Sequence, residues 1–556
     1  MTPLKFMELD HAGKPFMNKF ASKIATNTDA YAANRRDMLA LMDDYYEIKA
    51  RAEALSEKRR PRVEERGQLT PRERLLRLLD PGMPYLELYG MANYGVDTDD
   101  RSKSIPGASS LAGIGFVSGI RCLTYVDDSG INAGASTQKS GEKLRACLDV
   151  SRLHKLPFVH LVESAGANLM QYEVESWAQG GGIFYRLALL SAAGIPTITV
   201  LHGPATAGGA YMPGMSDYVI SIRGRGRASL GGAALTRAAT GEVSDEEELA
   251  GTDMHATISG LVEYTAEDDA HGLLICRDLV AKLDWNKSCP LPKVKTFKEP
   301  LYHPDEIAGL VPIDYRHPYE VRELVARFVD GSDFEDFKPR YGVSTVCLQA
   351  SIYGNACGII GNNGPIDPNG ANKAGQFFQL CDQAELPIVF LNNTTGYMVG
   401  KEYEQGGMVK HGSKMIQATS NVRVPKITLY IGASFGAGNY GMGGIGYEPD
   451  FLFTWPNALT GVMGGEQAAL TMDQVARVAA ERRGQPIDET ALQTQKERLI
   501  SHFDAQSDAF YTSGRLLDQG VVDPRDTRKV LGFALETVWE GRNRTLHPNS
   551  FGVARL

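Results

Sequence analysis

The chain has 556 residues, 43% of them hydrophobic and 22% charged, a globular composition with enough length for two or more cores of ordinary domain size. A formal net charge of −9, with acidic and basic residues interspersed, gives no general reason to expect nucleic acid or an anionic membrane as partner. The seven cysteines, Cys122, Cys147, Cys276, Cys289, Cys347, Cys357 and Cys381, include no C-x-x-C pair; this argues against a disulfide framework or a cysteine zinc site and fits a reducing compartment.

In chain order, the opening "MTPLKFMELDHAGKPFMNKF" has no apolar run of signal-peptide length and carries Glu8 and Asp10, which speaks against secretory and transit peptides. No 18-residue apolar stretch follows anywhere, so no transmembrane helix is predicted and a cytoplasmic location is expected. Residues 33–60 place Met38, Leu41, Met42, Tyr45 and Ile48 at helical spacing amid charge, an amphipathic helix whose stripe could face its own core or a partner subunit. "RGQLTPRERLLRLLDPG" (66–82) sets Thr70 before Pro71 with Glu73 three residues on; an N-cap, an N1 proline and a capping box predict a short helix ending at Asp80-Pro81-Gly82.

From about Leu111, apolar β-like runs alternate with helical segments and glycine-rich turns, the texture of an α/β layered domain. It occurs twice. "LPFVHLVESAGANL" (156–169) answers "LPIVFLNNTTGYMV" (386–399), and "GIPTITVLHGPATAGGAYMPGMSDYVI" (194–220) answers "RVPKITLYIGASFGAGNYGMGGIGYEPDFLF" (423–453). Pro157 and Pro387 are 230 positions apart, Pro196 and Pro425 are 229, and Gly209 and Gly438 are 229, so the chain contains an internal duplication. "CLTYVDDSGINAG" (122–134) and "CGIIGNNGPIDPNG" (357–370) form a further pair. The stretch at about 285–340 is rich in proline and short polar turns, which puts the boundary between the copies near 290–315.

Gly432-Ala433-Ser434-Phe435-Gly436 matches G-x-S-x-G, the pattern of a serine nucleophile on a strand-to-helix turn. The duplication argues against that role. Ser434 corresponds to Ala205, whereas Gly438 corresponds to Gly209 and Ala437 to Gly208; the small-residue turn recurs and the hydroxyl does not. "TAGGAY" (206–211) and "FGAGNY" (435–440) should each end a strand and open a helix, leaving backbone N–H groups free at the positive end of a helix dipole to hold a developing oxyanion. Small residues there let a ligand carbonyl reach the backbone. His255 and His411 read as structural, or as lying near a phosphate, rather than as catalytic. Lys410 and Lys414 read as solvated or phosphate-facing. The acidic run "SDEEELAG" (244–251) reads as a helix start, and no metal site is expected.

These residues resemble a known family, the carboxyltransferase β subunits of biotin-dependent acyl-CoA carboxylases, in the methylcrotonyl-CoA and geranyl-CoA branch. The resemblance runs from about residue 60 to 545 and is carried by "GQLTPRERLLRLLDPG", "ESAGANL", "ATAGGAYMPGMSDYVI", "AATGEVSDEEELAGTDMHATISGLVEYTAEDDAH", "NNTTGYMVGKEYEQGGMVKHGSKMIQA", "GASFGAGNYGM" and "WPNALTGVMGGEQAA". It implies an α/β fold of two duplicated crotonase-like domains built from ββα repeats. The expected organisation is an N-terminal extension and helix (1–60), an acyl-CoA-side domain (61–300) and a biotin-side domain (301–556).

The resemblance also implies an active site shared between the N-domain of one subunit and the C-domain of another, in a homo-oligomer, a hexamer, of β subunits. The backbone N–H groups of Gly208 and Gly209 would bind the thioester oxygen of an acyl-CoA, and those of Ala437 and Gly438 the ureido oxygen of biotin. The loop Ser164, Ala165, Gly166, Ala167 and Asn168 would lie along the coenzyme A, and Thr395, Gly396 and Tyr397 beside the biotin. Two oxyanions, one in each turn, would then account for carboxyl transfer without a side-chain base. No A-M-K-M-like biotinylation segment and no ATP-grasp region is found, so the biotin is expected on a separate α subunit that combines biotin carboxylase and carrier.

"NLMQY" (168–172) and "GGAAL" (231–235) depart from the "NLPRQ" and "GGPPL" of methylcrotonyl-CoA relatives, while "NNGPIDPNG" leans toward geranyl-type members; a branched, α,β-unsaturated acyl chain is the first expectation. Alternatives are a saturated substrate such as propionyl-CoA, a decarboxylase α subunit of the glutaconyl-CoA type, a serine esterase and a non-catalytic coenzyme A scaffold.

Overall fold

The computed structural model describes residues 20–168, 170, 173–290 and 295–553. The chain divides into two compact units. One holds residues 43–292 with 510–521 and 536–556; the other holds residues up to 42 with 293–509 and 522–535.

The first unit is built on an eight-stranded sheet. Its strands are β1 (Leu86–Glu87), β2 (Ser110–Val117), β3 (Ile120–Asp127), β5 (Phe158–Ser164), β7 (Thr197–Thr206), β8 (Tyr218–Ile222) and β10 (Tyr264–Ala266) in spatial order, with β9 (Arg227–Ser229) paired to the far end of β7. A two-residue ladder, β4 (Ala135–Ser136) with β6 (Gly166–Ala167), lies outside it. The second unit repeats the plan with β11 (Phe334–Asp336), β12 (Thr345–Ile352), β13 (Asn355–Asn362), β14 (Ile388–Thr394), β15 (Lys426–Phe435) and β16 (Phe451–Thr454), and β17 (Leu459–Gly461) on the far end of β15. In both sheets an antiparallel hairpin leads into parallel strands joined by helical crossovers. The strands at the centre of such a sheet are covered on both faces, which is why "KITLYIGASF" is buried at every position.

The hairpins show how closely the copies agree. Ser118-Gly119 (φ 51° and 76°) and Tyr353-Gly354 (φ 49° and 72°) both turn with two positive φ angles, the geometry that matches strand twist. In each, one aspartate accepts both turn N–H groups: Asp80 at 2.9 and 2.6 Å, Asp330 at 2.9 and 2.7 Å. An arginine pairs with each aspartate, Arg277 at 2.8 Å and Arg528 at 2.9 Å. The crossover helices Gln138–His154 and Pro368–Gln383 each bury a lysine under the sheet. Lys143 donates to Gly107 O and Ser110 O, and Lys373 donates to Thr345 O; burial pushes Lys143 down to about 8.

The predicted capping box is present. Thr70 Oγ1 accepts from Glu73 N and Glu73 Oε2 accepts from Thr70 N, opening helix Pro71–Leu78. Helix Asp29–Glu57 buries Met38, Met42, Tyr45 and Ile48 within this chain, so the stripe needs no partner subunit to cover it.

Helix Pro71–Leu78 also carries Arg74, 1% exposed, into the interior of the first unit. Its guanidinium pairs with Glu163 at 2.5 Å and Asp269 at 3.3 Å, while Asp269 meets His202 Nδ1 at 2.8 Å. Burial alone would raise Asp269, but the His202 hydrogen bond and the Arg74 charge hold its carboxyl well below the usual range. Burial and Arg74 push His202 down, leaving it neutral at physiological pH. A carboxylate held low contributes stability above its ordinary pKa and loses it as pH falls through the folded value. Arg74→Ala, which strands the buried Asp269 and the partly buried Glu163, is expected to cost about 3–5 kcal/mol in denaturant unfolding at pH 7, with a smaller deficit in acid as Asp269 protonates in the variant.

Candidate active site: two small-residue turns

Strand β7 ends at Thr206 and runs into the 3-10 turn Ala207–Ala210 and the helix Tyr211–Met215; β15 ends at Phe435 and runs into helix Gly436–Gly441. The last strand residues have φ −110°, ψ 147° at Thr206 and φ −111°, ψ 147° at Phe435. The next residues are left-handed, Ala207 at φ 55° and Gly436 at φ 54°. This reversal leaves the leading N–H groups of each turn without an acceptor inside it. Neither Thr206 nor Phe435 caps its helix with a side chain, so the donors of Gly208, Gly209, Ala437 and Gly438 stay uncapped. The helices that follow span 5 and 6 residues. The polarity of the turns therefore rests on local N–H groups more than on an extended dipole.

Each turn is seated on its neighbouring strand through a matching irregularity. Between Val162 and Ser164 two steps of β5 face Leu201 to Ala205 of β7, and between Asn392 and Thr394 the pairing spans Tyr430 to Ser434 of β15. Gly203 and Gly432 make room for the side chain at the slip. A Cβ on Gly203 would lie 2.6 Å from Glu163 Cγ, and one on Gly432 would lie 2.3 Å from Asn393 Oδ1. Gly166 N donates to Ser164 Oγ at 3.2 Å, and Gly396 N donates to Thr394 Oγ1 at 3.2 Å. The counterpart of Ser164 is thus Thr394, a residue the sequence reading passes over in favour of Thr395.

In the first unit, Ala165 and Ala167 are exposed, Ser164 and Gly166 are buried, and Asn168 is half-buried. Asn168 N donates to Ser136 O and Ala165 N to Gly134 O, which fixes the loop against residues 134–136. In the second unit, Thr395 is exposed and Gly396 is buried with φ 124°. Tyr397 packs its ring beside Gly412 and Gly441 and donates its hydroxyl to Gly412 O. Asn439, which the sequence reading did not single out, braces the second turn by donating to Tyr430 Oη and Ser434 Oγ at 2.9 and 2.7 Å. Of the segments noted for substrate choice, residues 169, 171 and 172 and the side chains of 234 and 235 lie outside what is described.

Other candidates resolve plainly. Ser434 is fully buried and its hydroxyl is held by Asn439, an inaccessible position for a nucleophile. His255 is buried with Nδ1 on Ser259 Oγ and Nε2 on Ala228 O, both at 2.7 Å, a structural histidine. His411 lies 3.4 Å from Lys414 Nζ; burial and the Lys414 and Lys410 charges lower its pKa. Asp245 caps helix Glu246–Ala250 through Glu247 N and Glu248 N. Among the described residues no helix is long and apolar enough to cross a membrane.

The carboxyl transferase domain model matches residues 62–553. The chain belongs to the carboxyl transferase family. This carboxyl transferase is 47% identical over 88% of its length to a probable biotin-dependent acyl-coenzyme A carboxylase β2 subunit of Mycobacterium tuberculosis, covering 91% of that protein. It is 39% identical over 95% of its length to the mitochondrial methylcrotonoyl-CoA carboxylase β chain of Arabidopsis thaliana, covering 90% of it. The crystal structure of the P. aeruginosa geranyl-CoA carboxylase β subunit superposes with a TM-score of 0.90 at 44% identity, covering 97% of this chain and all of the other. The two similar mixed sheets are consistent with the duplicated crotonase-like carboxyltransferase domains that the resemblance implied. The protein is a carboxyltransferase of the methylcrotonyl-CoA and geranyl-CoA carboxylase branch, a β subunit of a multi-subunit, biotin-dependent acyl-CoA carboxylase.

The two turns differ in tolerance. A Cβ on Gly209 would make ordinary contacts of 3.5 and 3.6 Å with Ser164, whereas one on Gly438 would lie 2.8 Å from Gly396 Cα. Gly209→Ala is expected to leave the thermal midpoint nearly unchanged, and Gly438→Ala to cost about 1–3 kcal/mol through overpacking against backbone. Paired calorimetric scans check both.

Proposed function

We propose that this β subunit passes a carboxyl group to the acyl chain of a branched, α,β-unsaturated acyl-CoA, geranyl-CoA or 3-methylcrotonyl-CoA. The observation that carries the reading is the recurrence of one uncapped donor turn, with the same backbone angles, in both copies of a duplicated chain. The reaction develops negative charge on two oxygens, and the chain has two donor pairs.

The N–H groups of Gly208 and Gly209 hold the thioester oxygen of the acyl-CoA. Removing a proton from the acyl chain, at the γ carbon of an unsaturated substrate, places charge on that oxygen, and losing one such donor typically costs on the order of 100- to 1000-fold in rate. The loop Ser164–Asn168 lies along the coenzyme A, offering Ala165 and Ala167 at its surface. The N–H groups of Ala437 and Gly438 hold the ureido oxygen of biotin, with Thr395 to Tyr397 beside it; two donors without a charged side chain suit a neutral carbonyl that gains charge only during reaction. Biotin, carried by a separate α subunit, supplies the carboxyl group in a transferable form. The turn residues 206–211 and 435–440 include no carboxylate, histidine or lysine, so their contribution is charge stabilisation rather than proton abstraction.

The same proposal includes a homo-oligomer, a hexamer, in which the N-terminal copy of one subunit meets the C-terminal copy of another, and a cytoplasmic location. Relatives described as β subunits support the multi-subunit part, and seven unpaired thiols suit a reducing compartment.

The test is carboxyl transfer by the assembled protein, run in reverse with free biotin or forward with its α subunit, on propionyl-, 3-methylcrotonyl- and geranyl-CoA. The expected result is a higher kcat/KM for the unsaturated branched substrates, and a fall in kcat of at least about 100-fold in Gly209→Val. Absence of turnover with every acyl-CoA would overturn the reading.

A further inference from the structure

The two copies seat their turns with different chemistry at one position. At the slip beside the second turn, Asn393 Oδ1 accepts from Ala433 N at 3.1 Å. At the offsets of 230 and 229, Asn393 corresponds to Glu163 and Ala433 to Pro204. Proline has no N–H, so the backbone bond that holds Asn393 cannot form in the first copy. Glu163 accepts instead from Arg74 Nη1 at 2.5 Å, with its side chain only 12% exposed. Arg74 also reaches Asp269 at 3.3 Å, and Asp269 meets His202 Nδ1 at 2.8 Å. His202 directly precedes Gly203, whose added Cβ would lie 2.6 Å from Glu163 Cγ. The contacts thus leave β5 at Glu163 and return to β7 at His202, closing around the slip. A neutral amide opposite Pro204 would lack its backbone donor; the carboxylate takes a buried guanidinium in its place.

The geometry points to Glu163 as a positioning residue for the turn at Gly208 and Gly209. This rests on the reading that those two N–H groups hold the thioester oxygen. Glu163 N donates to Asp127 Oδ2 at 3.1 Å, so the residue is fixed at backbone and side chain alike. The next residue, Ser164, faces Ala205 in the strand pairing, and its Oγ lies 3.5 Å from where a Cβ on Gly209 would be. Ser164 Oγ also accepts from Gly166 N, and a Cβ on Gly166 would lie 3.1 Å from Thr206 O. Releasing Glu163 therefore shifts the strand end against which both Thr206 and Gly209 are packed. Donors aimed at a developing charge lose much of their effect when displaced by about 1 Å. Glu163 acts through the register of Ser164 and touches no reacting atom.

The experiment compares Glu163→Asn, Glu163→Gln and the double variant Glu163→Asn/Pro204→Ala in the assembled protein. Glu163→Asn draws the side chain back from Arg74 and leaves it opposite a proline; kcat is expected to fall about 10- to 100-fold with little change in the acyl-CoA KM. The double variant supplies the second copy's own amide-to-N–H bond and is expected to return kcat to within about threefold of the wild type. Glu163→Gln, which can still accept from Arg74, should lose at least about threefold in kcat, and it decides alone if Glu163→Asn does not assemble. Amide hydrogen exchange across residues 205–211 should quicken in Glu163→Asn and slow again in the double variant, a readout independent of turnover. A kcat unchanged in both single variants, or a double variant no more active and no better protected than Glu163→Asn, would overturn the inference. Gly209→Val in the same assay reports separately on the reading beneath it: full activity there removes the oxyanion role of the turn, whereas a loss there with Glu163→Asn and Glu163→Gln fully active removes only the role of Glu163.

Discussion

The structure depends on one backbone event that occurs twice, a left-handed residue placed directly after the last residue of a central strand. At Ala207 and Gly436 the chain leaves the sheet with φ near 55° and presents the first N–H groups of a short helix with no acceptor of their own. An L-residue in that region costs roughly 1–2 kcal/mol, a strain that the second copy avoids with glycine and the first copy bears with alanine. Strain kept in one conformation by its surroundings is a feature of functional sites. Here the surroundings are the slipped pairing with the adjacent strand, the glycine at 203 or 432 that clears the slip, and the hydroxyl of Ser164 or Thr394 that accepts from the glycine at 166 or 396.

Charge is arranged around this event rather than in it. The first copy anchors its slip with an ion pair, Glu163 to Arg74, and continues inward to Asp269 and His202; the second uses neutral Asn393, whose Oδ1 accepts from Ala433 N. The turns themselves carry only backbone dipoles. Such donors are fixed before charge develops and need no reorganisation when it does. Under the proposed function, one piece of architecture would serve two chemically different oxygens.

Much of this was legible in the sequence because it is written as repetition. The offsets of 230 at Pro157 and Pro387 and 229 at Gly209 and Gly438 survive as equivalent strand pairings, Phe158 to Thr197 and Ile388 to Lys426. The capping box at Thr70 was legible because its signal is local. Thr394 was legible by the same offset of 230, which pairs it with Ser164, but the sequence reading takes Thr395 to Tyr397 in its place. Asn439 corresponds to Ala210, so a search for recurrence passes over it. The helices Gly465–Arg483 and Glu489–Ser507 were missed because they are much longer than Ala233–Thr240 and Glu246–Ala250, the helices that follow the equivalent strand in the first copy.

The most direct measurement of the central claim is the infrared carbonyl stretch of a thioester-¹³C-labelled acyl-CoA bound to the assembled protein. Two N–H donors aimed at one oxygen polarise the carbonyl, so the account predicts a shift to lower frequency on binding. A bound thioester whose stretch matches that in water would contradict it.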